Sequence, residues 1–193
     1  MTVTASKYAL RENDHYETEA WAVDALVRAC PSISNSRVYE PAAGNHAIVD
    51  ALGKYNVESI TSDIKTYDQQ HDFEADYLTN DQCLDVACEC DWIVTNPPYG
   101  RQNRLAVKFV ERALRVRRVN VAMLLTAKFD FGKTRRHLFA DNKRFAGKVA
   151  LLDRISWAGN GKTGTEDHAW YIWSAIGDPY NGPTMRWEAR GAA

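Results

Sequence analysis

One short segment of this sequence, Asn96-Pro97-Pro98-Tyr99, combines residue types that can hold a flat molecule bearing an amino group. Proline has no backbone N–H and a fixed φ, so the segment forms a rigid ledge that mainly accepts hydrogen bonds. The side-chain carbonyl of Asn96 and the backbone carbonyl of Pro97 can both accept from one exocyclic NH₂ group, and the ring of Tyr99 offers a face for stacking. This arrangement suits chemistry at the amino group of a planar heterocycle.

A second group of candidate residues surrounds a turn of small residues. Residues 37–40 have the pattern of a strand, the turn Pro41-Ala42-Ala43-Gly44 follows, and an apolar helical pattern begins at Ala47. A strand, a small-residue turn and a helix N-terminus form the nucleotide-binding corner of a doubly wound sheet, because small residues let a ligand approach the backbone. The next strand, residues 57–62, ends at Asp63, where a carboxylate can accept hydrogen bonds from both hydroxyls of a ribose.

The elements that must position these residues alternate along the chain. Trp92, Ile93 and Val94 form a short buried strand that runs directly into the ledge. Further strands are predicted at residues 120–125, 149–152 and 168–173, and helical patterns at 21–29, 80–90, 103–118 and within 128–143. Apolar strands that alternate with helices predict an α/β fold with a parallel sheet.

In the order and spacing of these motifs, the sequence resembles the S-adenosylmethionine-dependent N6-adenine DNA methyltransferases, and in particular phage-type members without a separate target-recognition domain. The resemblance covers Asp14 to about Trp173. It implies a doubly wound, Rossmann-like class I methyltransferase fold with a seven-stranded, mostly parallel sheet and an antiparallel strand seven. It also implies S-adenosyl-L-methionine as the cofactor and direct transfer of its methyl group to the amino nitrogen of adenine, with Asn96, Pro97 and Tyr99 as catalytic residues.

The same resemblance implies which residues surround the cofactor. They are Tyr16, Thr18, Glu40, Ala42, Gly44, Asp63, Ile64, Asp76, Tyr77 and Asn96. Thr18 would reach the amino-acid end of the cofactor and Glu40 its charged methionine end. Asp63 would accept from the ribose hydroxyls. Asp76 would accept from the adenine amino group, with Asp72 as the alternative.

Two positions depart from the family pattern. Glu19 stands where the family usually has proline, and His46 stands where the family's small-residue turn ends in glycine. The second departure bears on cofactor affinity, because a side chain occupies a position at which the family has none.

Charge is distributed unevenly between the two halves of the chain. Residues 1–100 contain 6 Lys/Arg and 17 Asp/Glu, whereas residues 101–193 contain 18 and 8. Such asymmetry indicates a polyanionic partner, here DNA, that meets one face of the molecule. The helix predicted over residues 103–118 should show a row of outward cations that includes Arg112. The expected nucleic-acid contacts are Arg101, Arg104, Lys128, Lys133, Arg135, Arg136 and Lys162.

Length and composition limit the remaining classes of protein. The 193 residues predict a single methyltransferase domain, with a leader over 1–13, a catalytic core over 14–173 and an irregular tail over 174–193. We expect a cytoplasmic protein without a membrane partner, because no signal-peptide pattern and no run of about 20 apolar residues occurs. The four cysteines lack paired CxxC spacing, so we expect reduced thiols and no metal site. The expected oligomeric state is a monomer or a homodimer.

Three other functions are compatible with the sequence. A protein-glutamine methyltransferase would use the same ledge for a side-chain amide. An RNA adenine or guanine methyltransferase would use the same basic half, because phosphate contacts do not distinguish RNA from DNA. A non-catalytic binding subunit that retains the fold is the third, and His46 is the feature that favours it. A target-recognition domain would need about 100 residues or more, which are not found here, and this predicts limited sequence selectivity or a partner that supplies it.

Overall fold

The computed structural model describes residues 17–157, 164–176 and 182–191. The predictions for the leader, for Tyr16 and for Lys162 lie outside these described residues. The strands are β1 (Arg37–Glu40), β2 (Glu58–Asp63), β3 (Phe73–Glu74), β4 (Trp92–Thr95), β5 (Asn120–Thr126), β6 (Phe145–Leu151), β7 (His168–Trp173) and β8 (Thr184–Glu188). The α-helices are α1 (Ala20–Ala29), α2 (Ala47–Gly53), α3 (Gln82–Cys88) and α4 (Arg104–Ala113). Short 3₁₀ turns cover Pro31–Ile33, Arg101–Asn103 and Lys133–Leu138.

The strands form one mixed sheet in the order β3-β2-β1-β4-β5-β7-β6-β8. Strands β3, β2, β1, β4 and β5 pair in parallel, and β7 is inserted antiparallel between β5 and β6. The predicted doubly wound, mostly parallel sheet with an antiparallel strand seven is therefore confirmed. The carboxyl ends of β1, β2 and β4 lie at the same edge of the sheet, where ligands of such folds bind.

The sheet carries one more strand than predicted, because the tail is not irregular throughout. Strand β8 pairs in parallel with β6, from Gly147 opposite Thr184 to Leu151 opposite Glu188. The Pro- and Gly-rich composition of the tail suggested irregular structure, yet the five residues of β8 contain neither residue type. A side chain on Gly147 would lie 2.5 Å from the carbonyl oxygen of Thr184, so its absence allows this close pairing.

Two hydrophobic layers enclose the sheet. Helices α1 and α2 cover one face, and α3 and α4 cover the other. Along β4 the side chains alternate between the layers, with Trp92 and Val94 in the first and Ile93 in the second. All three are at most 4% exposed. The ledge that follows β4 is thus attached to a strand held rigidly at the centre of the sheet.

Arg144 stabilises the end of the sheet opposite the ledge, where β5 begins and β7 ends. Its guanidinium group donates to the backbone carbonyls of Leu114, Val116, Val119 and Ser174. These carbonyls belong to the end of α4, the approach to β5 and the end of β7. One half-buried side chain therefore ties three segments together, and its burial lowers the pKa of the guanidinium group.

Candidate cofactor cavity and substrate ledge

A cavity of about 220 Å³ opens at the carboxyl ends of β1, β2 and β4. It is lined by every predicted cofactor residue that the structure describes: Thr18, Glu40, Ala42, Gly44, Asp63, Ile64, Asp76, Tyr77 and Asn96. Their contact with the cofactor stays a prediction, but residues spread over almost 80 positions of the chain meet in one space. The cavity also contains Tyr67, Pro98, Leu105 and Phe109, which sequence reasoning did not include. Phe109 is buried on α4, and no local signal in the sequence shows that this face of the helix borders a cavity.

The small-residue turn adopts the backbone that its glycine pattern requires. Gly44 has φ +51°, and its N–H donates to Asp63 Oδ2 at 2.9 Å. His46 is also left-handed, with φ +65° and ψ +19°, at the position where the family has glycine. Its ring turns toward His71, with Nε2 and Nδ1 3.0 Å apart, and it does not line the cavity. The substitution therefore adds backbone strain but places no side chain in the cavity.

Glu40 is buried at the end of β1 and lines the cavity. Burial raises the pKa of its carboxyl group well above the usual 4.5, and the nearby charges of Asp63 and Asp50 add to this effect. Glu40 Oε2 has no hydrogen-bond partner among the described residues. A buried acceptor without a donor is rare in folded proteins, and here it marks a position that suits a cationic donor from a ligand.

The structure distinguishes between the two candidate aspartates in the segment after β2. Asp72 Oδ2 accepts from both the N–H and the hydroxyl of Thr61 at 2.8 Å, and Asp72 does not line the cavity. Asp76 does line it, while its oxygens accept from the N–H of Leu78 at 2.9 Å and the hydroxyl of Thr79 at 3.0 Å. Each carboxylate oxygen has a second lone pair, so Asp76 can still accept from a ligand.

The ledge borders this cavity. Asn96 is half-buried and lines it, whereas Pro97 is buried and the Tyr99 ring, half-buried, packs beside the core. The hydroxyl of Tyr99 lies 3.3 Å from Asn96 Oδ1 and 3.2 Å from the carbonyl oxygen of Leu124. Tyr99 therefore helps to orient the amide of Asn96 as well as presenting an aromatic surface.

Two further aromatic rings, which sequence reasoning did not place at the site, lie behind the ledge. The ring centroid of His168 is 6.3 Å from that of Tyr99 and 4.9 Å from that of Trp157. Burial lowers the pKa of His168 to about 4, so its ring is neutral at pH 7. The rings of Tyr99, His168 and Trp157 form an uncharged aromatic wall beside the Asn96 amide.

The Lys and Arg side chains predicted to contact nucleic acid differ in how accessible they are to phosphate groups. Four of them, Arg101, Arg104, Lys128 and Lys133, are exposed. Arg136 is also exposed, but its Nε donates to both carboxylate oxygens of Asp141 at 2.9 Å. Arg135 is half-buried, with its guanidinium carbon 4.6 Å from the centroid of the Phe129 ring. The first group is thus better placed to contact phosphates.

The prediction that Arg112 points outward from its helix is wrong. Arg112 is 7% exposed, and its Nη2 donates to the carbonyl of Asn80 at 2.9 Å and to Asp81 Oδ1 at 3.0 Å. Its guanidinium group also lies 5.9 Å from the centroid of the Tyr77 ring. Asn80 and Asp81 lie just before α3, and Asp81 is 31 residues from Arg112 in the sequence. The helical periodicity of α4 alone does not reveal these distant partners, which hold the cation inward.

The fold of the chain is similar to that of several solved structures. A Listeria monocytogenes protein assigned to the class I S-adenosylmethionine-dependent methyltransferases superposes with a TM-score of 0.63 at 13% identity, over 96% of this chain and 69% of its own. A modification subunit assigned to a type I restriction enzyme of Vibrio vulnificus YJ016 gives a TM-score of 0.61 at 12% identity, over 91% and 47%. A Pyrococcus horikoshii protein assigned as an RNA methyltransferase gives 0.61 at 15% identity, over 88% and 92%. No protein-family model and no curated protein sequence matches the chain.

The fold of this chain is therefore that of the class I S-adenosylmethionine-dependent methyltransferases. The chain spans about half the length of the restriction-enzyme subunit that it resembles. In the part of the chain that the structure describes, no helix has the length and apolar character needed to cross a membrane. The same described residues contain no group of three or more His, Cys, Asp or Glu side chains that could hold a metal ion.

Proposed function

We propose that this chain is an S-adenosylmethionine-dependent methyltransferase that methylates the N6 amino group of adenine in DNA. One observation carries the proposal: Asn96 of the ledge lines the same cavity as Glu40, Asp63 and Asp76. A methyl donor bound by these carboxylates would lie directly beside a group that accepts hydrogen bonds from an amine.

The chemical character of the cavity fits S-adenosylmethionine part by part. The unpartnered Oε2 of Glu40 suits the cationic methionine end, and the carboxylate of Asp63 suits the ribose hydroxyls. Asp76 can accept from the adenine amino group, and Ile64 and Phe109 supply apolar walls for the purine. When bound, the cofactor supplies an electrophilic methyl group on a positively charged sulfur.

The ledge would act on the other reactant. Asn96 Oδ1 and the carbonyl of Pro97 would accept hydrogen bonds from the target NH₂ group, which makes the nitrogen lone pair available for in-line attack. The N–CH₃ bond would form as the S–CH₃ bond breaks, the sulfur would leave as a neutral thioether, and the amine would lose one proton to water. Tyr99 holds the base through its ring and orients Asn96 through its hydroxyl. Much of the rate acceleration should come from this positioning, because two reactants are held in attack geometry without a covalent enzyme intermediate.

DNA is the substrate that we favour. The net positive second half of the chain suits a polyanion, and one structural relative is assigned as a modification subunit of a type I restriction enzyme. RNA is the second candidate, because the Pyrococcus relative is assigned as an RNA methyltransferase and its fold matches 88% of this chain. A protein-glutamine substrate fits the ledge but gives the basic half no role.

The test is to incubate the protein with labelled S-adenosylmethionine and unmethylated DNA, digest the DNA to nucleosides and measure N6-methyladenine. Asn96→Ala should reduce transfer by about 100- to 1,000-fold, because the amine loses an acceptor used in the transition state. Gln82→Ala, which removes an exposed amide at the start of α3, is the matched control and should transfer normally.

The outcomes separate the candidates. Cofactor binding without transfer to DNA would refute the DNA proposal, and transfer to RNA in the same assay would support the second candidate. Absence of cofactor binding in calorimetry would refute methyltransferase activity altogether and favour a binding subunit.

A further inference from the structure

Four large apolar side chains are exposed at the end of the sheet formed by β6 and β8. Their exposed fractions are 73% for Phe131, 63% for Leu152, 43% for Met185 and 61% for Trp187. We call these four residues the β8 apolar surface. Monomeric proteins rarely expose several large apolar side chains together unless the surface binds something.

The members of this surface are neighbours in space. Met185 is paired with Lys148 of β6, and Trp187 with Ala150, so both side chains share a face of the sheet with their partners. Lys148 Nζ lies 5.7 Å from the centroid of the Phe131 ring. The N–H of Leu152 donates to the carbonyl of Glu188 at 2.8 Å, next to Trp187. The surface is thus continuous across β6 and β8.

The surface lies at the same edge of the sheet as the ledge. Asn96 follows β4, Phe131 follows β5, and Trp187 is next to the last residue of β8. Strands β4, β5, β6 and β8 run in the same direction, because β7 is antiparallel to both β5 and β6. Four interstrand spacings of ~4.8 Å put β8 about 19 Å from β4. A chain of a few linked nucleotides could span that distance.

Cations flank the aromatic members of the surface. Lys128 and Lys133 lie on either side of Phe131 in the sequence, both are exposed, and neither forms an ion pair with another described residue. They belong to the half of the chain that carries 18 Lys/Arg against 8 Asp/Glu. Exposed lysines without acidic partners attract a polyanion such as a phosphate backbone.

The open edge of β8 is less suited to another protein strand. β8 is only five residues long, and Arg28 Nη2 donates to the carbonyl of Ala189 at 3.2 Å, which covers the end of this edge. Short, charged and partly covered edge strands resist pairing with a further strand. The exposed features are instead flat side chains beside lysines, which is the pattern of proteins that bind unpaired nucleic-acid strands.

We infer that the β8 apolar surface binds an unpaired strand of the nucleic-acid substrate. Bases stack on Phe131 and Trp187, and Lys128 and Lys133 contact the phosphates between them. The inference rests on the proposed function, because it continues the path of the substrate from the ledge across the edge of the sheet. It also specifies the substrate class: single-stranded or locally opened nucleic acid binds more tightly than an intact duplex.

The experiment measures fluorescence anisotropy of labelled DNA, about 12 nucleotides long, as a single strand and as a duplex of the same sequence. The unmodified protein should bind the single strand more tightly. Trp187→Ala should weaken single-strand binding about tenfold, because one stacked base loses its partner. Trp187→Phe keeps a stacking ring and should bind within about threefold of the original protein. Ile176→Ala removes an apolar residue that is 91% exposed at the opposite edge of the sheet, and it should change nothing.

Two results would overturn the inference. In the first, the combined Phe131→Ala, Trp187→Ala variant binds single-stranded DNA as tightly as the original protein does. Cofactor binding by the variant shows that it is folded. The other is a concentration-dependent dimer in sedimentation that Trp187→Ala abolishes without changing DNA affinity, which would assign the surface to a protein contact. Methyl transfer is assayed separately. DNA binding that depends on Trp187, without any methyl transfer, would support the inference and reject the proposed function. Methyl transfer by a protein whose DNA affinity is unchanged by Trp187→Ala would support the proposed function and reject the inference.

Discussion

The backbone N–H of Gly44 donates to Asp63 Oδ2 at 2.9 Å, which joins the turn after β1 to the end of β2. The other oxygen of Asp63 accepts from the N–H of Ile64 at 2.7 Å. A single carboxylate therefore fixes two stretches of backbone that line the cavity, while each oxygen keeps a lone pair for a ligand.

Replacing Asp63 should damage both the fold and the site. Asp63→Ala leaves the N–H of Gly44 without its acceptor, so we expect the free energy of unfolding to fall by about 1–3 kcal/mol. Cofactor binding in calorimetry should be lost at the same time. Glu58→Ala, at the exposed start of β2, should change neither quantity, and an Asp63→Ala protein with normal cofactor affinity would disprove the assigned role.

Glu40 predicts a pH dependence with a definite sign. The free carboxyl group has a pKa raised by burial and by Asp63 and Asp50, whereas a bound cation would lower that pKa. Binding then releases a proton, and cofactor affinity should rise with pH between the bound and the free pKa, by at most about tenfold per pH unit. Titration calorimetry across pH should show this rise, and Glu40→Gln should abolish it.

The same carboxyl group has the opposite effect on the stability of the ligand-free protein. Because its folded pKa lies above the unfolded value of about 4.5, its contribution to stability is lost as pH rises through the folded pKa. Glu40→Gln should therefore melt at a higher temperature than the original protein at neutral pH while binding the cofactor more weakly. A lower melting temperature would contradict this assignment, and Glu58→Gln is the control.

Substitution of His46 should not change the affinity for the cofactor. Its ring contacts His71 and not the cavity, so His46→Gly and His46→Ala should bind S-adenosylmethionine about as tightly as the original protein. His46→Ala keeps the left-handed backbone and loses the ring contact, and it should lose about 1–2 kcal/mol of stability. His46→Gly should lose less, because glycine relieves the strain. Gly44→Ala, which strains a residue that lines the cavity, is the contrast and should bind the cofactor poorly.

Substitutions of the two aspartates after β2 should have different effects, one on protein stability and the other on cofactor affinity. Asp72→Ala leaves the N–H of Thr61 without its acceptor and should lower stability by about 1–3 kcal/mol without changing cofactor affinity. Asp76→Asn retains the oxygen that accepts from Leu78 but replaces the other with a donor, and it should weaken cofactor binding about tenfold. The reverse pattern in calorimetry and thermal melts would reassign the adenine contact to Asp72.

The sequence predicts the centre of the sheet well because its signals there are local. The apolar run at Trp92 and the end of β2 at Asp63 need only their neighbours to be recognised. Strand β8 escapes prediction because its five residues are nearly all exposed, so no buried apolar run marks it, and because the tail around it is rich in proline and glycine. Arg112 escapes it because its partners, Asn80 and Asp81, lie just before another helix. The His168–Trp157 wall depends on pairing between β5 and β7, which brings distant residues beside the ledge.

The four carbonyls held by Arg144 imply that the two ends of the sheet depend on different kinds of hydrogen-bond acceptor. The guanidinium group has neutral backbone acceptors in all four of these hydrogen bonds, so no carboxylate is needed to hold that end together. The cavity end instead depends on the carboxylate of Asp63, which accepts from the backbone N–H groups of Gly44 and Ile64. In Asp63→Ala, backbone amides around the cavity should therefore exchange with deuterium well before those near Arg144, so that the protein loses its binding site while the opposite end remains folded.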